Sequence, residues 1–204
     1  MSAEIVFQAG GIIFAIASVM FLFTGTKKPN TMTEFFISFI TTTSYAVMSL
    51  GIATTTSAGG ALIYWSRWLF YMAACSLLMF DAAHALGISQ AEYPKMAIFT
   101  GLTMFNGFLA SFVVTEWRWI FFALSSAAYL GLLSFVVRGQ ENPQFRSLKS
   151  FVLVGWTLFP IVFVLAPTGF GIVDTLVAET SYLILDIITK IIFGIMTSRL
   201  KQAT

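Results

Sequence analysis

The chain has 204 residues, 58% of them hydrophobic and 10% charged, with a formal net charge of +2. So few charges cannot cover a water-soluble surface, which excludes an ordinary soluble domain and points to a membrane protein. Cys75 is the only cysteine, which excludes an intramolecular disulfide and a multi-cysteine metal site.

A helix needs about 20 apolar residues to cross a hydrocarbon layer of about 30 Å. Seven stretches meet that length, at about 4–25, 33–56, 61–86, 93–114, 117–138, 148–166 and 172–199. They predict an all-α membrane fold, a bundle of seven transmembrane helices forming one domain over residues 1–204. The first stretch has Glu4 as its only early charge. A cleavable signal starts basic and has a shorter apolar run, so this stretch is expected to remain as the first helix. Between stretches, "SAGG" at 57–60 and "PTGFG" at 167–171 have turn composition, and "RGQENPQFR" at 138–146 is the longest polar connection. In the sixth stretch Pro160 has no N–H to donate and crowds the preceding turn, which makes it a bend point.

Basic residues orient the layout. Lys27, Lys28, Lys95, Arg138, Arg146, Lys149, Arg199 and Lys201 fall on one side against Arg118 on the other, eight to one. The positive-inside tendency then puts the N-terminus outside and the C-terminus in the cytoplasm of a multi-pass cell-membrane protein.

Six ionisable groups of the third and seventh stretches stand out: Arg67, Asp81 and His84 in the third, and Glu179, Asp186 and Lys190 in the seventh. A charge at mid-bilayer costs ~2.5–3.5 kcal/mol on insertion scales, so each is a functional candidate. At about 100° per residue Glu179, Tyr182, Leu183, Asp186 and Lys190 share one helix face, and Arg67, Phe70, Ala74 and Asp81 fall within roughly 60° of one another. Two facing polar stripes are expected, with Arg67 about 10 Å outward of the bilayer middle and Asp81 about 10 Å inward. The pair in "SYLILDIITKIIFG" (181–194) has three readings: a static ion pair, a binding or proton-coupling site of a transporter, or a lysine amine that forms an imine beside its counterion. Spacing alone does not choose among them.

The aromatic residues do. The aspartate and lysine of the seventh helix followed by "IIFG", "YWSRW" at 64–68 on the third, "GWTLFPIVF" at 155–163 on the sixth and "YAVMSLG" at 45–51 on the second together resemble the microbial rhodopsins along nearly the whole chain. The resemblance implies retinal bound to Lys190 as a protonated Schiff base, Asp186 as its counterion, and Tyr45 hydrogen-bonded to that aspartate. It also implies a pocket from Tyr71, Trp156, Phe159, Pro160 and Phe163, with Phe122 and Ser125 near the ring. A polyene needs an apolar, aromatic-walled slot, and such pockets lie between the helices of bundles. In a chain with 22 Phe, ordinary packing accounts equally well for any single aromatic. Thr189 either places a hydroxyl near the imine or bonds its own helix carbonyl.

Outward proton pumps of this family carry an acceptor aspartate, a threonine and a carboxylic donor at the positions of Phe70, Ala74 and Asp81. Without the acceptor, Asp186 is the sole nearby carboxylate, and the adjacent cation keeps it ionised and a poor base. Phe70, Cys75 and the acid at Asp81 resemble the schizorhodopsins and the related Antarctic rhodopsins, which move protons inward; the schizorhodopsin serine and glutamate are Ala74 and Asp81 here, so the match is partial. The resemblance implies a light-driven inward proton pump and not an enzyme. Its proton leaves past Asp81 into the cytoplasm and is replaced from outside along Arg67, Tyr64 and Glu179.

Plainer roles stand beside these. Asp81 also reads as a neutral acid bonded across helices, Glu179 as a solvated outer residue, His84 as a group off the stripe near the headgroups, and Cys75 as a small packing residue. The main rival function is a sensory rhodopsin, a light receptor with a slow photocycle and no net transport. A chloride pump is disfavoured because Phe70 offers no hydroxyl or amide to an anion, and a sodium pump would want polar groups at the same places. Expected partners are the lipid bilayer, protons, internal water and further copies of the chain as a trimer or pentamer, with no nucleic acid and no metal.

Overall fold

Runs of Ile, Leu, Phe and Ala broken by Gly, Pro and β-branched clusters set the element boundaries. The structure, a computed structural model, describes residues 2–27, 32–139 and 143–200; Lys28, Lys201 and the 140–142 part of the predicted 138–146 connection lie outside them. The helices are α1 (Ala3–Lys27), α2 (Met32–Ser49), α3 (Ser66–Ala85), α4 (Tyr93–Phe112), α5 (Arg118–Arg138), α6 (Pro143–Leu165), α7 (Thr175–Asp186) and α8 (Phe193–Leu200). A π-helical segment, Ile187–Ile192, joins α7 to α8 without a break, so the three form one rod and the architecture is a bundle of seven helices. Neighbours in sequence are neighbours in space from α1 to α5, and α7 closes back on α1.

Two predicted stretches are shorter as helices than expected. The 33–56 stretch ends its helix at Ser49 and the 61–86 stretch begins its helix at Ser66. Between them lies an antiparallel hairpin of β1 (Thr54–Thr56) and β2 (Leu62–Tyr64), pairing Thr54 with Tyr64 and Thr56 with Leu62. Gly51 and Ala53 take the left-handed conformation at φ 66° and 58°, which stops a right-handed helix. The β-branched Thr54–Thr56 run then prefers the pleated form. Tyr64 consequently sits on β2 and not on the third helix. At the other extreme α6 starts at Pro143, inside the predicted connection, because proline is pre-set for the first helical turn. The helix continues through Pro160.

Among the described residues four helices, α1, α3, α5 and α6, are long and apolar enough to cross a membrane by length and composition, where the sequence predicted seven stretches by length. Of the other three rods, α2 and α4 are diluted by polar residues that the bundle buries, Ser38, Thr41 and Ser44 on α2 and Thr100 and Thr103 on α4, whereas the π segment divides the seventh rod into an α7 of 12 residues and an α8 of 8. Outward faces are apolar, with Ile12, Phe39, Ile98, Leu130, Val154 and Ile184 all exposed, as lipid contact demands of a multi-pass membrane protein. The interior holds two apolar clusters: Phe7, Phe14, Tyr45 and Met48 toward the hairpin end, and Leu78, Met79, Ala82, Met96, Val136 and Phe193 toward the opposite end.

Candidate cofactor site

The seventh rod brings its lysine and aspartate together where α7 passes into the π segment. Lys190 and Asp186 form an ion pair through Nζ and Oδ1, with side chains only 2% and 0% exposed. Among the described residues Asp186 is the sole ion-pair partner of Lys190. The other carboxylate oxygen, Oδ2, accepts from the Tyr45 hydroxyl of α2 at 2.7 Å and from the Tyr71 hydroxyl of α3. Both are charge-assisted bonds, the stronger class. Lys190 Nζ also lies 3.5 Å from the centre of the Tyr71 ring, whose face attracts a cation. Three helices therefore converge on one carboxylate.

Tyr45 itself is positioned by a missing side chain. A Cβ at Gly10 of α1 would lie 2.5 Å from Tyr45 Cδ1, so glycine lets the ring lie flat against α1. Gly10→Ala is expected to cost about 1–3 kcal/mol through overpacking and to push Tyr45 away from Asp186. Thermal loss of the helical circular-dichroism signal measures it, and a midpoint equal to wild type would refute the packing argument.

Toward the hairpin end, Arg67 of α3 and Glu179 of α7 form a second ion pair at 2.5 Å, with side chains 3% and 8% exposed. The guanidinium carbon sits 4.5 Å from the Tyr182 ring centre and 5.9 Å from that of Tyr45. Glu179 is therefore no solvated end residue, because β2 and the neighbouring helices cover it. The two polar stripes do meet across α3 and the seventh rod.

Beside Lys190 opens a cavity with about 90 Å³ of space for the centres of water-sized atoms, walled almost wholly by apolar groups. Tyr71, Cys75, Phe122, Ser125, Trp156, Phe159, Pro160, Phe163 and Thr189 all line it. Phe122 and Phe163 stack at 5.1 Å and close one end. Thr189 donates to the Leu185 carbonyl at 2.7 Å, the helix-bonded alternative, and Ser125 donates to the Thr103 carbonyl at 2.8 Å. Phe70 stands at the position where outward pumps carry the acceptor. It is half-buried and absent from the cavity wall, because three residues after Arg67 it falls on the flank of α3, while Tyr71, one residue on, takes the inner face.

Trp68 lines the cavity unpredicted, its ring held against Gly107 of α4, where a Cβ would come within 2.9 Å. "YWSRW" contained the signal, since Trp68 is one residue past the arginine. Asp81 is buried on the far side of Leu78 and Met79, away from the hairpin, and His84 beyond it is exposed. Glu34, near the start of the second stretch and on neither polar stripe, is buried at that same end.

A family model described as bacteriorhodopsin-like protein matches residues 2–203. Among solved structures, schizorhodopsin 4 superposes with a TM-score of 0.90 at 33% identity, covering 97% of this chain and 98% of that one. Sensory rhodopsin-2 of Haloarcula vallismortis is 27% identical over 164 residues, 75% of this chain and 69% of the relative. Sensory rhodopsin III of Haloarcula marismortui is 26% identical over 212 residues, 95% of this chain and 90% of the relative.

Proposed function

The chain belongs to the bacteriorhodopsin-like family, whose members bind retinal, and from that premise we propose that it is a light-driven inward proton pump. The residues fit the cofactor: a buried primary amine stands at the wall of an apolar, aromatic cavity, with one carboxylate beside it to balance a cation. Retinal joined to Lys190 would supply light absorption and an isomerisation that re-aims the nitrogen.

The observation that carries the direction is the occupancy of Asp186. It already accepts from Lys190, Tyr45 and Tyr71, so both of its oxygens are held by donors, which supports the role of counterion over that of proton acceptor. Glu179, the next carboxylate toward the hairpin, is neutralised by Arg67. Among the described residues, the two buried carboxylates from Lys190 toward the hairpin are thus both engaged in ion pairs. On the other side stands Asp81, on the same face of α3 as the groups around Lys190. With the basic connections in the cytoplasm, that side is the inside of the cell, and Arg67 and Glu179 line the refilling route from outside.

Illuminated cells supplied with retinal should take up protons, seen as alkalinisation of an unbuffered medium that a protonophore abolishes. Acidification would overturn the proposal. The similarity to two sensory rhodopsins supports a second reading, a light receptor. A flash-induced cycle lasting seconds with no pH change is its signature. A substitution is informative on the same assay: Asp81→Asn should cut the initial rate of uptake by about 10²-fold if its carboxyl takes the proton. An unchanged rate would exclude that role.

A further inference from the structure

Glu34 lies in the first turn of α2, where a carboxylate ordinarily faces solvent, yet it is 1% exposed. Its Oε1 accepts from the Ser198 hydroxyl at 3.1 Å and lies 3.4 Å from the Thr197 hydroxyl, which also reaches the Phe193 and Gly194 carbonyls at 3.2 Å; both hydroxyls are on α8. The rod is shaped for this contact. A Cβ at Gly194 would lie 3.2 Å from Glu34 Cγ and 3.0 Å from Phe21 Cζ, so the bare backbone there admits the carboxyl side chain against α8. Thr197 follows Lys190 by seven residues, about two turns and roughly 10 Å along the same rod. Ile37, one turn along α2 from Glu34, belongs to the apolar cluster that contains Leu78 and Ala82, the residues bracketing Asp81 on α3. Two buried carboxyls, one on α2 and one on α3, therefore stand at the end of the bundle away from the hairpin.

We propose that Glu34, cradled by Thr197 and Ser198, is a second proton-carrying group of this molecule, the one that passes the proton from the interior to water at the α1–α2 end. The proposal rests on the inward-pump reading and extends it. The step balances without a co-reactant: a carboxylate oxygen of Glu34 takes a proton from interior water and returns it to bulk water, leaving the carboxylate as it began. The hydroxyl donors suit this work, because they stabilise the charged form between turnovers and stay bonded to the carbonyl oxygen of the acid.

The test is light-minus-dark infrared difference spectroscopy of the retinal-loaded protein, paired with pH uptake in cells. In wild type a carboxylic C=O difference band belonging to Glu34 is expected, absent in Glu34→Gln. The variant's release of the proton should slow by about 10²-fold, with the rate restored by azide, a small weak acid that replaces a missing carrier but cannot repair packing. A band unchanged in Glu34→Gln overturns the proposal, and so does slowing that azide leaves untouched, the mark of a merely structural latch. Should Glu34→Gln fail to assemble, Ser198→Ala decides: it keeps the carboxyl, removes one donor and should shift the same band, while an unshifted band overturns the assignment. Absence of inward transport by the wild type would refute the pump reading alone, since the infrared band reports on Glu34 whatever the direction of transport.

Discussion

Asp186→Asn is expected to remove the visible colour of the retinal-loaded protein at neutral pH, and Asp186→Glu to retain it in part. Asp186 is the sole ion-pair partner of Lys190 among the described residues and is fully buried. Deleting one member of a buried pair costs about 3–5 kcal/mol, because the remaining charge is left without compensation in a low-dielectric site. At 1.36 kcal/mol per decade that is roughly two to four decades in the equilibrium for holding the proton on the nitrogen. Arg67 does not rescue the variant, since it is itself a cation and its charge is spent on Glu179. The tyrosines grade the effect. Tyr45→Phe and Tyr71→Phe each remove one hydrogen bond to a charged group, worth about 1.5–3 kcal/mol, and should shift the colour without abolishing it. Absorption spectra of the purified variants decide the matter, and an Asp186→Asn protein coloured like wild type would refute the electrostatic account.

That centre was legible in the sequence because its parts obey local rules. Asp186 and Lys190 are four residues apart on one rod, so a single helix brings them together whatever the tertiary packing does. The π segment at Ile187–Ile192 was invisible to a 100° reading, yet it leaves the pair intact. Phe70 shows where helical phase alone fails: it lies near the inner stripe of α3, but one further residue places Tyr71 squarely on the cavity. The burial of Glu179 and of Glu34 was not legible in the sequence, for a common reason. Both lie within a turn or so of a helix start, where sequence alone cannot show whether a neighbour covers them; β2 does so for Glu179, and α1 with α8 does so for Glu34. The hairpin was hidden by hydrophobicity, since strands and helices at a membrane edge share apolar composition and only the left-handed turn at Gly51 and Ala53 separates them.

The second large effect concerns Arg67 and Glu179, and it is best measured as a double-mutant cycle. The pair is nearly excluded from solvent and spans α3 and α7, and the Tyr182 and Tyr45 rings flank the guanidinium. Arg67→Gln leaves Glu179 as a buried anion beside Tyr182, and Glu179→Gln leaves Arg67 as a buried cation near the Lys190 site; each is expected to destabilise the bundle by about 3–5 kcal/mol. The double variant keeps two neutral amides that hydrogen-bond to each other, so its loss should be smaller than the sum of the singles by about 1–3 kcal/mol. Function should divide differently from stability. Glu179→Gln adds net positive charge close to the amine and should shift the absorption maximum, whereas the double variant restores charge balance and with it most of the colour. Unfolding midpoints and spectra of the four proteins close the cycle. Additive losses would show that the two groups act independently, and the refilling route assigned to this pair would then have no electrostatic basis.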